Sequence, residues 1–246
     1  MWRWRTDETL ERIDSGALRA ASGFCKLAVT GWERHVRVAW PGEATGTIDV
    51  WDLDARIKTC SFDGGRSKND GGAGMCMSLQ WLERTHEHDV APCRLMGTYE
   101  DGSVQIWDTR KANEALACER WHEEAVVASD YEPKKGIVAT GSATGELVLA
   151  RWNHAEAKLA HPVKLKVGDE GIADVAIRPD HKVVAVGSWN GKVHFCALKR
   201  PQVLCSASYH TSTVNSVCYS PDGKVLASAS NDRTIALWSM YNAAEK

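Results

Sequence analysis

A histidine, a serine and an aspartate, the residue types of a hydrolytic triad, occur close together near the end of this 246-residue chain. They are His210, Ser228 and Asp232, and Trp238 follows them in the stretch SNDRTIALW. If the indole N–H of Trp238 donates to Ser228, and His210 links Ser228 to Asp232, the four groups satisfy one another. We therefore expect a structural network. Each of its bonds stabilises the fold by about 1 kcal/mol, and an orphaned buried partner costs about 1–3 kcal/mol.

Two other segments carry residues that could hold a metal ion or a phosphate group. Two histidines and an aspartate lie in THEHD at 85–89, but the sequence lacks both HExxH spacing and a second ligand cluster. An arginine and a lysine lie in the glycine-rich segment 63–74, which lacks the GxxxxGKS/T order of a phosphate-binding loop. We expect a solvated loop and a flexible connector here, with no metal, no cofactor and no small-molecule substrate.

The stretch that ends at Trp238 is one of five copies of a nine-residue pattern. Each copy is a polar turn followed by alternating apolar residues, which end at a tryptophan or a substitute for it. The copies end at Trp51, Trp107, Ala150, Cys196 and Trp238, at intervals of 56, 43, 46 and 42 residues. Three of the four intervals lie near the ~40–45 residues of a four-stranded propeller blade. The repeat therefore predicts an all-β propeller.

The last copy shows how a blade is assigned. TVNSVCYS alternates apolar and polar residues with the period of a half-buried strand, and SPDG forms a turn. KVLASAS predicts a second strand and TIALW a third, with the turn residues NDR between them. A fourth strand lies in each linker, for example QVLCSASY at 202–209. The predicted units are 19–62, 74–119, 122–167, 170–209 and 210–241, preceded by a partial unit at 1–14.

Composition and charge narrow the class of protein. A net charge of −2 and a pI of about 6.5 give no electrostatic reason to expect nucleic acid or an acidic membrane surface as a partner. No apolar run approaches the ~18 residues of a membrane helix. The eight cysteines include no CxxC pair, which favours reduced, buried thiols and a location in the cytoplasm, the nucleus or both.

Turn, alternation and tryptophan coincide in HTSTVNSVCYSPDGKVLASASNDRTIALW and in YEDGSVQIWD, and these segments resemble the WD-repeat family of β-propellers. Trp107 and Asp108 form the dipeptide after which that family is named. We assign the network role in the other units to five residues, which are His122, Thr140, Asp101, Trp107 and Trp51. The units at 122 and 171 depart from the pattern: Thr144 and Asn190 replace the turn aspartate, and Trp152 lies two residues late on the same strand face.

Between about 74 and 241, the runs TYEDGSVQIWD, WHEEAVV, GIADVAIRPDHKVVAVGSWNGKV and ALWSMY occur in this order. They are similar to the guanine nucleotide-binding protein beta-subunit-like proteins, the group that includes the WD-repeat subunit of the ASTRA chromatin-associated complex. The resemblance implies a non-enzymatic scaffold that acts with the co-chaperones of phosphatidylinositol-3-kinase-related kinases and with chromatin remodelling. The alternative is a G-protein beta-subunit-like signalling adaptor. A beta subunit proper would carry an N-terminal coiled-coil helix with heptads, and the chain has no such repeat.

The resemblance also implies seven blades, whereas five complete units and one partial unit are recognisable. Either the chain is an N-terminally shortened seven-bladed propeller, or residues 8–13 close a five-bladed ring. We favour the shortened form, which predicts an open arc with an unpaired strand edge near residues 1–6. Pairing of residues 8–13 with 234–238 would contradict it.

The exposed turn tips on one face are the predicted contact site for other proteins of a multi-subunit complex. Trp189 lies in the turn GSWNGK, where a tryptophan has little core to fill, and interface hot spots favour Trp, Tyr and Arg. The alternative is that Trp189 lies flat against the next blade. The predicted partner-binding residues are Trp189, Tyr99, Glu100, Asn231, Trp121, Glu123 and Glu124.

Overall fold

The computed structural model describes residues 2–4, 10–12, 25–32, 34–64, 72–82, 93–111 and 115–240, and within these ranges the regular elements are all strands. A two-stranded ribbon pairs β1 (Trp2–Trp4) with β2 (Leu10–Arg12). Five antiparallel sheets follow, which we number as blades 1 to 5 in chain order. In these ranges no helix is long and apolar enough to cross a membrane.

Each of the first four blades has four strands. Blade 1 contains β3 (Ala28–Trp32), β4 (Arg34–Pro41), β5 (Thr47–Asp52) and β6 (Ile57–Asp63). Blade 2 contains β7 (Cys76–Trp81), β8 (Arg94–Tyr99), β9 (Ser103–Asp108) and β10 (Ala117–Arg120). Blade 3 contains β11 (Val126–Glu132), β12 (Ile137–Ser142), β13 (Glu146–Asn153) and β14 (Lys158–Lys166). Blade 4 contains β15 (Ile172–Ile177), β16 (Val183–Ser188), β17 (Lys192–Ala197) and β18 (Gln202–Ser208).

Blade 5 has three strands in the described part of the chain, which are β19 (Val214–Tyr219), β20 (Val225–Ser230) and β21 (Ile235–Ser239). Residues 10–12 pair with 2–4, so within the described ranges they are not the partner of β21. The pairing that a five-bladed closure requires is therefore not seen there. The seven-bladed form and the strand edge near residues 1–6 stay predictions, and residues 5–9 and 13–24 lie outside the described ranges.

The core lies between the blades, because the apolar face of each sheet packs on the next sheet. Val193 and Phe195 on β17 are buried against Val214, Val217 and Leu226 of blade 5. Burying each such side chain stabilises the fold by about 1.5–3 kcal/mol. The innermost strands contact one another in the order β3, β7, β11, β15 and β19. This radial stacking gives all blades the same direction, so equivalent turns lie on one face.

In the described part of the chain, no sheet covers the corresponding apolar face of blade 5. Ile235 and Leu237 occupy the positions of Val193 and Phe195 in the strand register, yet they are 71% and 73% exposed. The alternating pattern of β21 is therefore that of an inter-blade strand.

The innermost strands line a central cavity of about 1160 Å³, and polar side chains join neighbouring strands. Gln80 Nε2 donates to the Ser129 carbonyl at 2.9 Å, from blade 2 to blade 3. The Ile177 N–H donates to Asp130 Oδ2 at 2.6 Å, and the Val217 N–H donates to Asp174 Oδ2 at 2.9 Å. Each bond thus satisfies a backbone or side-chain group at the seam between successive blades. These residues are not among those predicted from the sequence.

Candidate protein-interaction surface

In blades 2 to 5, the turn that follows the second strand is held by one recurring backbone hydrogen bond. The first turn residue donates its N–H to a carbonyl just before the first strand of the same blade. These bonds are Glu100 to Met75 at 3.0 Å, Ala143 to Ala125 at 3.0 Å, Trp189 to Gly171 at 2.9 Å and Asn231 to Thr213 at 2.9 Å. We call the surface formed by Glu100, Ala143, Trp189 and Asn231, with the loops 121–125 and 168–171 beside them, the tip face.

The third residue of each of these turns has a positive φ. Gly102, Gly145 and Gly191 have φ values of 88°, 78° and 82°. A carbonyl of the loop that leads to the next blade lies against each of these glycines; the oxygens belong to His122, Gly168 and His210. Blade 5 has Arg233 at this position with a φ of 70°. Glycine is therefore required where a following blade approaches the turn.

Trp189 presents a large apolar side chain on the tip face. It is 41% exposed, and its indole rests on the backbone of Gly171, where an added Cβ would lie 2.6 Å from Cδ2. The Thr213 hydroxyl donates to the Trp189 carbonyl at 3.2 Å and links the turn to the next loop. One face of the indole therefore contacts its own blade. The Trp189 N–H and carbonyl are both hydrogen-bonded, to Gly171 and to Thr213, so the backbone of the turn is held in place.

The polar members of the predicted partner-binding set also lie on this face. Glu100, Asn231, Glu123 and Glu124 are all exposed. Glu100 Oε2 accepts from the Met75 N–H at 3.2 Å, and Asn231 Oδ1 accepts from Asn215 Nδ2 at 2.6 Å. The structure thus places Trp189 and four polar side chains on one continuous rim.

Beneath the tip of blade 5, four side chains are bonded in series. Trp238 Nε1 donates to Ser228 Oγ at 2.9 Å, and His210 Nε2 lies 2.8 Å from the same oxygen. His210 Nδ1 lies 3.2 Å from Asp232 Oδ2. The Thr234 hydroxyl and N–H and the Thr211 N–H donate to the carboxylate, which holds the pKa of Asp232 well below its usual range. Ser228 is buried and engaged on both sides, so it is not a free nucleophile.

Sequence comparison identifies the repeat that carries this geometry. The model described as WD domain, G-beta repeat matches residues 202–239, and the Anaphase-promoting complex subunit 4 WD40 domain matches 129–213. The mouse (Mus musculus) guanine nucleotide-binding protein subunit beta-like protein 1 is 30% identical over 243 residues, covering 97% of this chain and 71% of the relative. The chain belongs to the WD-repeat family of guanine nucleotide-binding protein subunit beta-like proteins.

A second curated relative and a solved structure are also similar to this WD-repeat protein. The ASTRA-associated protein 1 of Schizosaccharomyces pombe is 35% identical over 85 residues, which cover 34% of this chain and 23% of the relative. A chain of the crystal structure of the mitotic checkpoint complex superposes with a TM-score of 0.71 at 20% identity, over 96% of this chain and 66% of that chain. This last likeness supports the propeller fold alone.

The prediction that Tyr99 and Trp121 are exposed on the tip face of this WD-repeat protein was wrong. Tyr99 ends β8, at the position of Ser188 and Ser230 in their strands, and it is fully buried. Its hydroxyl fills the space that a Cβ on Gly64 would occupy. Trp121 packs into the apolar layer between blades 2 and 3, so neither ring is available to a partner.

In blade 3 the network is rearranged. His122 Nε2 lies 2.9 Å from Thr140 Oγ1, and Glu146 Oε1 lies 3.3 Å from His122 Nδ1. The late Trp152 does not reach Thr140; its indole N–H donates to His154 Nδ1 at 3.1 Å. The two-residue shift therefore preserves the strand face but changes the hydrogen-bond acceptor.

Trp107, Trp51 and Asp101 are not members of such a network, and these three assignments were wrong. The strand register puts Gly97 and Trp40 in the place that Ser228 occupies in blade 5, so neither indole finds a hydroxyl there. Trp107 stacks on Phe62 at 5.1 Å and Trp51 on Trp40 at 5.6 Å. Asp101 accepts from the Ser103 N–H within its own turn. Gly72 stands where blades 3 and 5 have His122 and His210, so no histidine links Asp101 to the second strand.

The segments with possible metal or phosphate chemistry are largely outside the described part of the chain. THEHD at 85–89 lies wholly outside it, as does the middle of the glycine-rich segment, residues 65–71. Across the residues that the structure does describe, no group of three His, Cys, Asp or Glu side chains could hold a metal ion.

His122 should make the protein sensitive to acid. Burial lowers the pKa of His122 to about 4, whereas the unfolded histidine binds a proton below about 6.5. Between these two pH values the histidine is protonated in the unfolded state but not in the folded state. Its contribution to the free energy of unfolding therefore falls by about 3 kcal/mol as the pH falls from 6.5 to 4. Burial raises the pKa of Asp130 to about 6, and this group acts with the opposite sign.

We therefore expect the free energy of unfolding of His122→Gln, minus that of wild type, to increase by about 3 kcal/mol when the pH is lowered from 7 to 4. Urea unfolding of both proteins at both pH values measures this difference. The contribution of Asp130 cancels in the subtraction, because both proteins contain Asp130. The exposed His161→Gln is the matched control. A constant difference between His122→Gln and wild type across this range would show that His122 is not buried in its neutral form.

Proposed function

We propose that this WD-repeat protein is a non-enzymatic scaffold subunit of a chaperone or chromatin-remodelling assembly of the ASTRA type. It contacts a protein partner through the tip face. The observation that carries the proposal is Trp189, an exposed indole on a turn whose backbone is bonded to two loops. Tryptophan at a rigid, partly exposed position is typical of an interface hot spot.

Three further observations support a binding role over catalysis. The one histidine–serine–aspartate set that the sequence suggested is bonded to Trp238. No metal-ligand group occurs among the described residues. The relative with the printed name ASTRA-associated protein 1 aligns with 34% of this chain and gives the proposed assembly its name. We propose the cytoplasm and the nucleus as the places where the scaffold acts.

Trp189→Ala tests the binding site. We expect partner recovery in affinity purification to fall about 30-fold, which is the effect of removing a hot spot of about 2 kcal/mol. The melting temperature should change little, because Trp189 is 41% exposed and its indole rests on the backbone of Gly171. Val163→Ala is the control, since Val163 is 43% exposed on the outer strand β14 and should keep full recovery. Unchanged recovery and solubility of Trp189→Ala would remove Trp189 from the site.

Mass spectrometry of the recovered proteins tests the type of assembly. ASTRA-type subunits or kinase-maturation co-chaperones, recovered with wild type and Val163→Ala but lost with Trp189→Ala, would support the proposed scaffold. A G-protein gamma subunit recovered in the same pattern would contradict it and establish the signalling adaptor instead.

A further inference from the structure

We propose that Cys25 and Cys76 form a redox-modification site, in which oxidation by a small-molecule disulfide joins the two thiols and ties blade 1 to blade 2. The two sulfur atoms are 3.9 Å apart, although the residues are 51 positions apart in the sequence. Cys25 precedes β3 and Cys76 begins β7, so the pair lies at the junction of two blades.

The sulfur atoms need to approach each other by only about 2 Å to reach the ~2.05 Å of a disulfide bond. Cys76 is the first residue of its strand, and Cys25 lies in the connecting segment ahead of β3. The segment that carries Cys25 is not part of a sheet ladder, so it can move towards Cys76 without breaking strand pairing.

The two thiols differ in access to an oxidant. Cys76 is buried in the apolar cluster that contains Ala73 and Tyr99, whereas Cys25 lies half-buried at the edge of that cluster. The contact with Cys25 and the burial of Cys76 raise the pKa of the Cys76 thiol well above its usual range. Cys25 is therefore the thiol that meets the oxidant, and Cys76 is the thiol that resolves the intermediate.

The reaction with glutathione disulfide balances in two exchanges. The Cys25 thiolate attacks one glutathione sulfur, forms a mixed disulfide and releases the first glutathione thiolate. Cys76 then loses its proton, which the released thiolate takes up, and attacks Cys25 Sγ. This step forms the Cys25–Cys76 bond and releases the second glutathione as a thiolate, which takes up the proton that Cys25 lost to the solvent. In total, two protein thiols are oxidised and one glutathione disulfide is reduced to two glutathione thiols.

The bond would close a covalent loop that contains every strand of blade 1. Beside it, the Trp81 indole N–H donates to the Ala28 carbonyl at 3.2 Å and provides a direct hydrogen bond between the same blades. Cross-linking a loop of this length reduces the entropy of the unfolded chain, so oxidation should stabilise the association of blade 1 with blade 2.

Peptide mapping under non-reducing conditions tests the site directly. The folded chain is incubated with glutathione disulfide, alkylated and cleaved with trypsin, which places Cys25 in peptide 20–26 and Cys76 in peptide 69–84. We expect these two peptides to be recovered as a disulfide-linked pair. The melting temperature of the oxidised protein should rise by about 5 °C or more, and dithiothreitol should reverse the rise.

Cys25→Ser is the decisive variant, because Cys25 is only half-buried and its replacement should leave the reduced protein folded. The variant should match reduced wild type in melting temperature, and it should give neither the linked peptide nor the rise on oxidation. The exposed Cys118, Cys205 and Cys218 offer competing thiols. The proposal would be overturned if, in wild type, glutathione is found on these three cysteines while Cys76 is recovered in its alkylated form, which shows that it stayed a free thiol. An equal rise in melting temperature in Cys25→Ser would also overturn it.

Discussion

Gly102→Ala is expected to lower the free energy of unfolding by at least about 3 kcal/mol, the largest effect of any small substitution considered. Gly102 has a φ of 88°, and an added Cβ would lie 2.1 Å from the His122 carbonyl oxygen. The left-handed conformation alone costs a residue with a Cβ about 1–2 kcal/mol, and the backbone oxygen cannot withdraw without moving blade 3. Urea unfolding of the two proteins measures the effect.

Arg233 supplies the matched comparison for this prediction. It occupies the same turn position in blade 5 with a φ of 70°, so Arg233→Gly removes the conformational strain at the cost of backbone entropy. We expect it to change the free energy of unfolding by less than about 1 kcal/mol, because these two effects oppose each other. If Gly102→Ala proves as mild as Arg233→Gly, the loop to blade 3 does not press on the turn as described.

Ser228→Ala is expected to cost about 3 kcal/mol, the second large effect. Ser228 Oγ is the acceptor for the Trp238 indole N–H and the partner of His210 Nε2, so its removal leaves two polar groups without a bond. Each such orphan costs about 1–3 kcal/mol in a buried environment. Thermal or urea unfolding of Ser228→Ala against wild type measures this cost.

Thr140→Ala is the control for the network, because its hydroxyl is bonded to His122 while Trp152 is bonded to His154. Only one orphan results in blade 3, so we expect about half the cost of Ser228→Ala. A Ser228→Ala protein no less stable than Thr140→Ala would show that the indole contributes nothing to the network of blade 5.

The fold was predictable from the sequence because its signals are local. Turn residues and two-residue alternation lie within nine positions in each copy, a tryptophan closes three of the five copies, and the structure has strands at all five. The mouse relative and the matching WD-repeat models confirm the family that these signals indicated. Local alternation is sufficient here, because each blade is a short antiparallel meander.

The wrong assignment of Tyr99 depended on a residue that lies far away in the sequence. Tyr99 is buried because Gly64, 35 positions earlier, leaves room for its hydroxyl, and no local pattern reports that space. The misassignment of Trp107 was avoidable. When RLMGTY is aligned with VLASAS, Gly97 falls at the position of Ser228. Blade 2 therefore lacks the hydroxyl that accepts the indole hydrogen bond in blade 5.

The inter-blade carboxylates were missed for a different reason. Asp130 and Asp174 interrupt the apolar inner strands β11 and β15, which is itself a signal that a buried polar partner exists. Both aspartates accept from a backbone N–H of the next blade, which any residue type can supply. Asp174 also accepts from the Ser216 hydroxyl and pairs with Lys26 Nζ, and these residues lie 42 and 148 positions away from it in the sequence. The sequence could therefore have flagged the two aspartates but could not have named what they bind.

Cross-linking mass spectrometry of the affinity-purified complex tests most directly whether the tip face is the interaction surface. An amine-reactive cross-linker reports on exposed lysines, and Lys192 and Lys166 lie at the tip-face ends of their strands. Lys134, Lys135, Lys182 and Lys224 lie in turns at the opposite ends of the blades. We expect cross-links to the partner from Lys192 and Lys166, whereas a complex linked only through the other four lysines would contradict the account.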